Sequence, residues 1–247
     1  MVNELAWAGI AIGSASAVGI ASLTAAFSEC ISAGYAMEAI GRQPGANKLL
    51  TRSAIITMCV TETGAIFCLV IGLLLIFGGF VDGGIDYARA ASLLAAGIAV
   101  GLGTMGANLG SGHTGAEACR GLGRSPSHSL PLTTNMLIGQ AMTQTASVYA
   151  FVVAILLLYA VPPMAECQSV FNQVFRSCAY LGAAFSIGIG TFGSGVGSGL
   201  VTATSCKMMA KHLNEKSHWM RMTIITSAIA QTTAIYALVI SFLLILM

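Results

Sequence analysis

Residues 60–67 read Val60-Thr61-Glu62-Thr63-Gly64-Ala65-Ile66-Phe67, and the chain writes this segment twice more. The second copy is Met142-Thr143-Gln144-Thr145-Ala146-Ser147-Val148-Tyr149, 82 residues on; the third is Ile229-Ala230-Gln231-Thr232-Thr233-Ala234-Ile235-Tyr236, a further 87 residues on. Each copy runs into an aliphatic stretch, such as Val239-Ile240-Ser241-Phe242-Leu243-Leu244-Ile245-Leu246. Each is preceded by a basic residue at the same spacings: Arg42, Arg124 and Lys211. In the first two copies one polar residue and then Pro44 or Pro126 follow; the third copy has no proline there. Self-similarity at a fixed period marks one supersecondary unit used repeatedly.

Composition says what surrounds those units. Of the 247 residues, 56% are hydrophobic and only 8% charged, and the mean hydropathy is +0.83. A water-facing surface needs roughly 25–35% charged residues, so most of this chain faces lipid or another apolar surface. The net charge of +2 gives no reason to expect a nucleic-acid partner. Apolar stretches span roughly 5–40, 51–80, 88–119, 132–160, 171–210 and 220–247. Each exceeds the roughly 20 residues needed to cross a bilayer as a helix. Backbone polar groups must be paired in lipid, and the period-2 alternation of a lipid barrel is missing, so helices are expected. The fold expected is an all-α membrane protein of six transmembrane helices. They form three tandem parallel-repeat hairpins, 1–82, 83–165 and 166–247, which assemble into a two-layer ring.

The connections alternate in charge. Nine of eleven basic residues (Arg42, Lys48, Arg52, Arg120, Arg124, Lys207, Lys211, Lys216 and Arg221) cluster at one set; Asp82, Asp86 and Glu166 stand at the other, with Arg89 and Arg176. The positive-inside rule predicts a multi-pass protein, its basic loops cytoplasmic and both termini outside. The expected location is a prokaryotic cell membrane. The N-terminal Met-Val-Asn-Glu lacks a basic n-region, so the first apolar stretch is expected to be a retained helix. Seven cysteines show no metal-binding spacing; Cys167 and Cys178 share a loop and would pair only in an oxidising compartment.

The first helix of each unit is rich in small residues, most densely at Gly193-Ser194-Gly195-Val196-Gly197-Ser198-Gly199. Such strips let membrane helices approach closely. A phosphate-binding loop is the rival reading, but no strand precedes these glycines. The second helices are bulky and aliphatic, so thin helices are expected inside and thick ones outside, against lipid.

Two carboxylates lie deep. Glu29 is 12 residues before Gly41 and Glu62 is 11 residues after Thr51. At about 1.5 Å per residue both sit roughly 16–18 Å beyond the basic loop, where they can meet across the hairpin. An intramembrane carboxylate costs about 2.5–3.5 kcal/mol or more and is a functional candidate by default. One reading is a carboxylate that binds a proton or small cation and carries it, neutralised, through lipid. The other is a protonated glutamate clamping two helices. Gln144 and Gln231 occupy the matching depth, either as polar glue or as oxygens that complete a cation site.

The basic loop with Arg42-Gln43-Pro44, the glycine-rich first helix and Glu62-Thr63 before an aliphatic run resemble the rotor-ring proteolipid of F-type ATP synthases. Multiple hairpins with glutamine replacing the carboxylate resemble the rotor-ring proteolipid of V- and A-type ATPases. The resemblance implies a rotor-ring subunit of a rotary ATPase. Such a subunit translocates Na+ or H+ by reversible binding at a mid-membrane carboxylate, coupled to ATP hydrolysis or synthesis, and is itself non-catalytic. It implies Glu62 as ion carrier, with Glu29 at the inner-helix ligand position, the Thr63 hydroxyl and the Val60 carbonyl beside it. Thr143 and Gln144 match a Thr-Gln pair that an adjacent hairpin supplies in sodium-binding V-type rings; Gln231 follows Ala230 and lacks that threonine. Phe67 stands where a bracing tyrosine is usual, a place Tyr149 and Tyr236 fill in the other copies. Implied partners are further copies of the chain in a ring, a stator membrane subunit with a cationic residue, central-stalk subunits at the basic loops, and the lipid bilayer. No bound cofactor is implied beyond the transported ion. A second carboxylate at Glu29 implies that one of the pair keeps its proton when a monovalent ion binds. The rival is a six-helix secondary ion transporter or channel independent of an ATPase; the parallel repeats and the single level of deep charge speak against it.

Overall fold

A computed structural model describes residues 2–80, 87–160 and 170–247. Asp82, Asp86, Glu166 and Cys167 lie outside the described residues, so the candidate Cys167–Cys178 pair does too. Among the described residues six long helices run α1 Val2–Arg42, α2 Asn47–Phe77, α3 Tyr87–Arg124, α4 Ser129–Tyr159, α5 Val170–Lys211 and α6 Lys216–Leu246. All six are long and apolar enough to cross a membrane. The even-numbered helices have 31 residues each, about 46 Å at 1.5 Å per residue, so their ends reach past a hydrocarbon layer about 30 Å thick.

The ends differ from the apolar stretches. α2, α4 and α6 begin four, three and four residues before the expected 51, 132 and 220. Short 3-10 turns at Pro44–Ala46, Pro126–His128 and Leu213–Glu215 feed straight into them. Polar first-turn residues are invisible to hydropathy. Pro44 and Pro126 preset the first helical φ, yet Leu213–Glu215 makes the same turn without one. In all three the chain leaves the first helix through matching backbone bonds: Gln43 N to Ala39 O (2.9 Å), Ser125 N to Gly121 O (3.0 Å) and His212 N to Met208 O (2.9 Å). α2 stops at Phe77, short of 80, because Gly78 caps it and Gly79 takes φ 65°, which an L side chain rarely adopts.

The six helices form two rows. α3 packs along α1 on one side and α5 on the other; α2 sits against both α1 and α3, and α4 against both α3 and α5. α6 packs on α5 and α4, at the end of the outer row. In its most apolar stretch α3 is 72% buried and α6 only 22%, so α3 is the centre and α6 an edge. The inner row is held by backbone contact. A Cβ on Gly97 would overlap the Gly13 carbonyl of α1, and one on Gly199 would overlap Gly110 of α3. Two apolar clusters fill the fold. One includes Ile10, Ile71, Leu93, Leu157 and Ile187; the other, toward the basic loops, includes Leu50, Leu122, Leu132, Met136 and Met209. Between them lies a layer of buried polar side chains.

Candidate ion-binding site

That layer is built from the same position in each hairpin. In the first, the Glu29 carboxyl of α1 lies beside the Glu62 carboxyl of α2, within hydrogen-bonding reach. In the second, Gln144 Nε2 of α4 donates to Ser111 Oγ of α3 at 3.2 Å. In the third, Gln231 Nε2 of α6 donates to Ser198 Oγ of α5 at 3.4 Å. Each pair is separated by 33 residues. Helix pitch therefore brings one inner-helix and one outer-helix polar group to one level three times.

The glutamines also bond between hairpins. Gln144 Nε2 donates to the Val60 carbonyl at 3.1 Å, and Gln231 Nε2 donates to the Met142 carbonyl at 2.9 Å. Ser147 Oγ donates to Gln144 Oε1 at 3.1 Å, which completes that amide. Ala234 holds the matching place in the third hairpin, and Gln231 Oε1 is buried with no hydrogen-bond partner. Thr143 Oγ1 donates to the Gly139 carbonyl at 2.8 Å and accepts from Ser198 Oγ at 3.2 Å. Asn108 Nδ2 reaches the Ala21 carbonyl and Thr24 Oγ1, each at 3.4 Å. A Cβ on Gly64 would sit 2.5 Å from Asn108 Oδ1, so only glycine leaves room there.

Six of the seven candidate residues thus occupy three places. Glu29 and Glu62 meet in the first hairpin. Val60 and Gln144 meet across the first seam, between hairpins 1 and 2. Thr143 and Gln231 belong to the second seam, between hairpins 2 and 3. Thr63 Oγ1 donates to the Cys59 carbonyl at 3.2 Å and remains partly exposed on α2. Glu62 is exposed, whereas Gln144 and Gln231 are 8% and 7% exposed. Glu29 Oε1 is buried and has no hydrogen-bond partner. A carboxyl with one buried oxygen, beside a second, exposed carboxyl, can take up a proton or a small cation. The two amide–serine pairs cannot titrate.

Sequence reasoning missed Ser111 and Ser198. The signal was present: each sits at the repeat position of Glu29, 82 and 169 residues on.

The family model for the C subunit of ATP synthase matches the chain three times, at residues 12–75, 94–157 and 181–244. One match falls in each hairpin. The chain is similar to the ATP synthase c-subunit of Petrotoga mobilis (strain DSM 10674 / SJ95), 40% identical over 85 residues, covering 34% of this chain and 86% of that protein. It is similar to the ATP synthase c-subunit of Synechococcus sp. (strain JA-2-3B'a(2-13)), 41% identical over 73 residues, 30% of this chain and 90% of the relative. The ATP synthase c-subunit of Geotalea uraniireducens (strain Rf4) is 41% identical over 70 residues, 28% and 77% of the two chains.

Proposed function

The chain belongs to the family of ATP synthase c-subunits, and from that premise we propose that it is an ion-carrying rotor-ring subunit of a rotary ATPase. Copies form a ring in the membrane, and Glu62, assisted by Glu29, carries Na+ or H+. The ring meets a stator subunit whose cationic residue displaces the ion. The basic loops face the cytoplasm and the central stalk. The observation that carries this reading is the Glu29–Glu62 pair, with Glu29 Oε1 buried and open.

Neutrality is the physical requirement. A bare carboxylate near mid-membrane costs at least about 2.5–3.5 kcal/mol, and bound H+ or Na+ removes that cost, so the loaded ring can turn past lipid. Oxygen donors from Glu29, Glu62 and the neighbouring carbonyls suit Na+; a proton needs only the carboxyl pair. One carboxylate pair per three hairpins means few ions per turn. Few ions per ATP allow a steeper gradient, since each charge costs about 2.3 kcal/mol per 100 mV, which favours a pump over a synthase.

The test is carbodiimide labelling of membranes containing the assembled complex, with peptide mass mapping. Labelling at Glu62 that Na+ suppresses identifies a sodium ring. Labelling that Na+ leaves unchanged and that falls as pH rises identifies a proton ring. An unlabelled Glu62 removes the ion-carrier role and leaves a six-helix protein whose deep carboxyls only fasten helices.

A further inference from the structure

The inner row has a face that no described helix covers. α3 is flanked by α1 and α5 and backed by α2 and α4. Between residues 91 and 120 it is buried everywhere except along one stripe at spacings of three and four. Such spacings keep side chains on one face of a helix. The stripe begins with Ala91, Leu94, Ile98, Leu102, Met105 and Leu109. It then changes character, to His113, Glu117 and Arg120. The apolar part covers 18 residues, about 27 Å, close to a hydrocarbon layer of about 30 Å. The flanking helices change at the same level. α1 exposes Leu23 and Phe27 before Tyr35 and Glu38, and α5 exposes Phe185 and Ile189 before Thr204 and Lys207.

Two adjoining cavities open on the polar part. One, about 270 Å³, is lined by Glu38 and Arg42 of α1, Glu117, Arg120 and Arg124 of α3, and Lys207 of α5. The other, about 200 Å³, shares Glu117 and Lys207 and adds Tyr35, His113, Thr204 and Leu200. Together they have the size of a small-ligand pocket, and they lead from the basic-loop end toward the apolar stripe. The charges do not balance. Arg42 pairs with Glu38, and Arg120 pairs with Glu117 at 2.6 Å. Arg120 is also fixed by stacking, its Cζ 3.7 Å from the centre of the Tyr35 ring. Among the described residues Arg124 and Lys207 have no carboxylate partner, so the larger cavity keeps two uncompensated positive charges. Like charges beside an apolar face repel one another and are relieved by an anion.

We propose that this end of the inner row is a phosphate site for an anionic phospholipid. The headgroup phosphate sits among Arg120, Arg124 and Lys207, and the acyl chains lie along the stripe from Leu109 to Leu94. Guanidinium groups suit phosphate oxygens, which they can bond in pairs. The apolar stripe decides the class of ligand: a free phosphate or an acidic peptide would satisfy the cations and leave Leu102, Met105 and Leu109 uncovered. Two unpaired cations favour a headgroup of charge −2 over one of −1. Either is favoured over a zwitterion, whose own cation cancels its phosphate. The site lies on the side of the inner row away from α2 and α4 and is complete within one chain, so it stands or falls independently of ion carriage by Glu62.

The test is native mass spectrometry of the full chain in detergent, titrated with cardiolipin, phosphatidylglycerol or phosphatidylcholine. One cardiolipin should be retained per chain, at least about tenfold more tightly than phosphatidylcholine, with phosphatidylglycerol between them. Arg124→Gln/Lys207→Gln should weaken cardiolipin about thirtyfold, the effect of two basic residues, with helix content unchanged because both side chains are exposed. Lys48→Gln/Arg52→Gln removes the same charge from the exposed start of α2 and should leave cardiolipin retention as it was. Equal losses in the two double variants would mean attraction to any basic end and would overturn the site. Equal retention of phosphatidylcholine and cardiolipin would overturn it as well. Displacement of cardiolipin by millimolar inorganic phosphate would make the ligand a free phosphate and overturn the lipid assignment.

Discussion

In the buried polar layer the first hairpin pairs Glu29 with Glu62, whereas the second and third pair Ser111 with Gln144 and Ser198 with Gln231. The skeleton is the same, 33 residues apart each time; only the chemistry differs. An amide always keeps two N–H donors, so Gln144 holds Val60 and Ser111 together whatever the pH. A carboxyl offers a donor only when protonated, and otherwise offers charge. The repeated position is therefore a permanent fastener where it is an amide and can titrate where it is an acid. Two of the three repeats carry amide–serine pairs, and the acid pair stands in hairpin 1, where Glu62 is exposed.

The sharpest way to break this comparison is to give hairpin 1 the chemistry of its repeats. Glu62→Gln removes the exposed carboxyl of the layer. ATP-driven ion uptake in vesicles holding the complex should fall to the level of protein-free vesicles. Helix content and ring assembly should remain, because Gln144 and Gln231 show that the position accepts an amide. Uptake that persists in this variant would remove Glu62 from the carrier role.

Next in size is a contrast between glycines. Gly97→Val puts a branched side chain against the Gly13 backbone, and helix separation must give. Overpacking of this kind costs about 1–3 kcal/mol, so thermal unfolding of the single chain in detergent should drop by several degrees. Gly193→Val meets open space within the chain. It should leave that unfolding temperature unchanged and impair only assembly between copies. Equal effects of the two substitutions would mean that α5 has no seam left to fill.

Much of this was legible in the sequence. The period of 82 and 87 residues, the loop charges and the glycine strips pointed to hairpins, inner row and outer row. Helix starts were misplaced because Asn47, Ser129 and Lys216 are polar residues whose 3-10 turns carry them into the helix. The outer-helix residues Glu62, Gln144 and Gln231 stood out because acids and amides are rare in apolar runs. Ser111 and Ser198 did not, since serines are common in these glycine-rich strips. The assignment of Gln144 to one seam and Thr143 to the other could not be read from neighbours in sequence. It depends on which face of α4 meets α2 and which meets α5.

A smaller effect separates the two carboxyls. Glu29→Gln keeps an oxygen at the inner position and adds N–H donors, while Glu62 still carries the charge. Uptake should stay within about tenfold of wild type, a change of roughly 1.4 kcal/mol in the rate-limiting barrier. The Na+-loaded ring should hold one proton fewer per chain than wild type, because the acid that keeps its proton is gone. Potentiometric measurement on purified rings checks this directly. An unchanged count of protons held by the Na+-loaded ring would show that Glu29 is not the group that keeps the proton.

The smallest effect tests the fastener itself. Gln144→Ala deletes the bonds to the Val60 carbonyl and Ser111 Oγ, and leaves Ser147 Oγ without its acceptor. Polar contacts between membrane helices are worth about 0.6 kcal/mol on average and up to about 1.7, because the separated helices find other partners. Two such bonds give an expected loss of about 1–2 kcal/mol in single-chain stability, read from denaturant-dependent helix loss in detergent. Gln231→Ala should cost slightly less, since Gln231 Oε1 has no partner to lose. The order of the two losses is the informative quantity. A larger loss at Gln231 would mean that its buried oxygen is engaged in the assembled protein, and the second seam would then be more than a fastener.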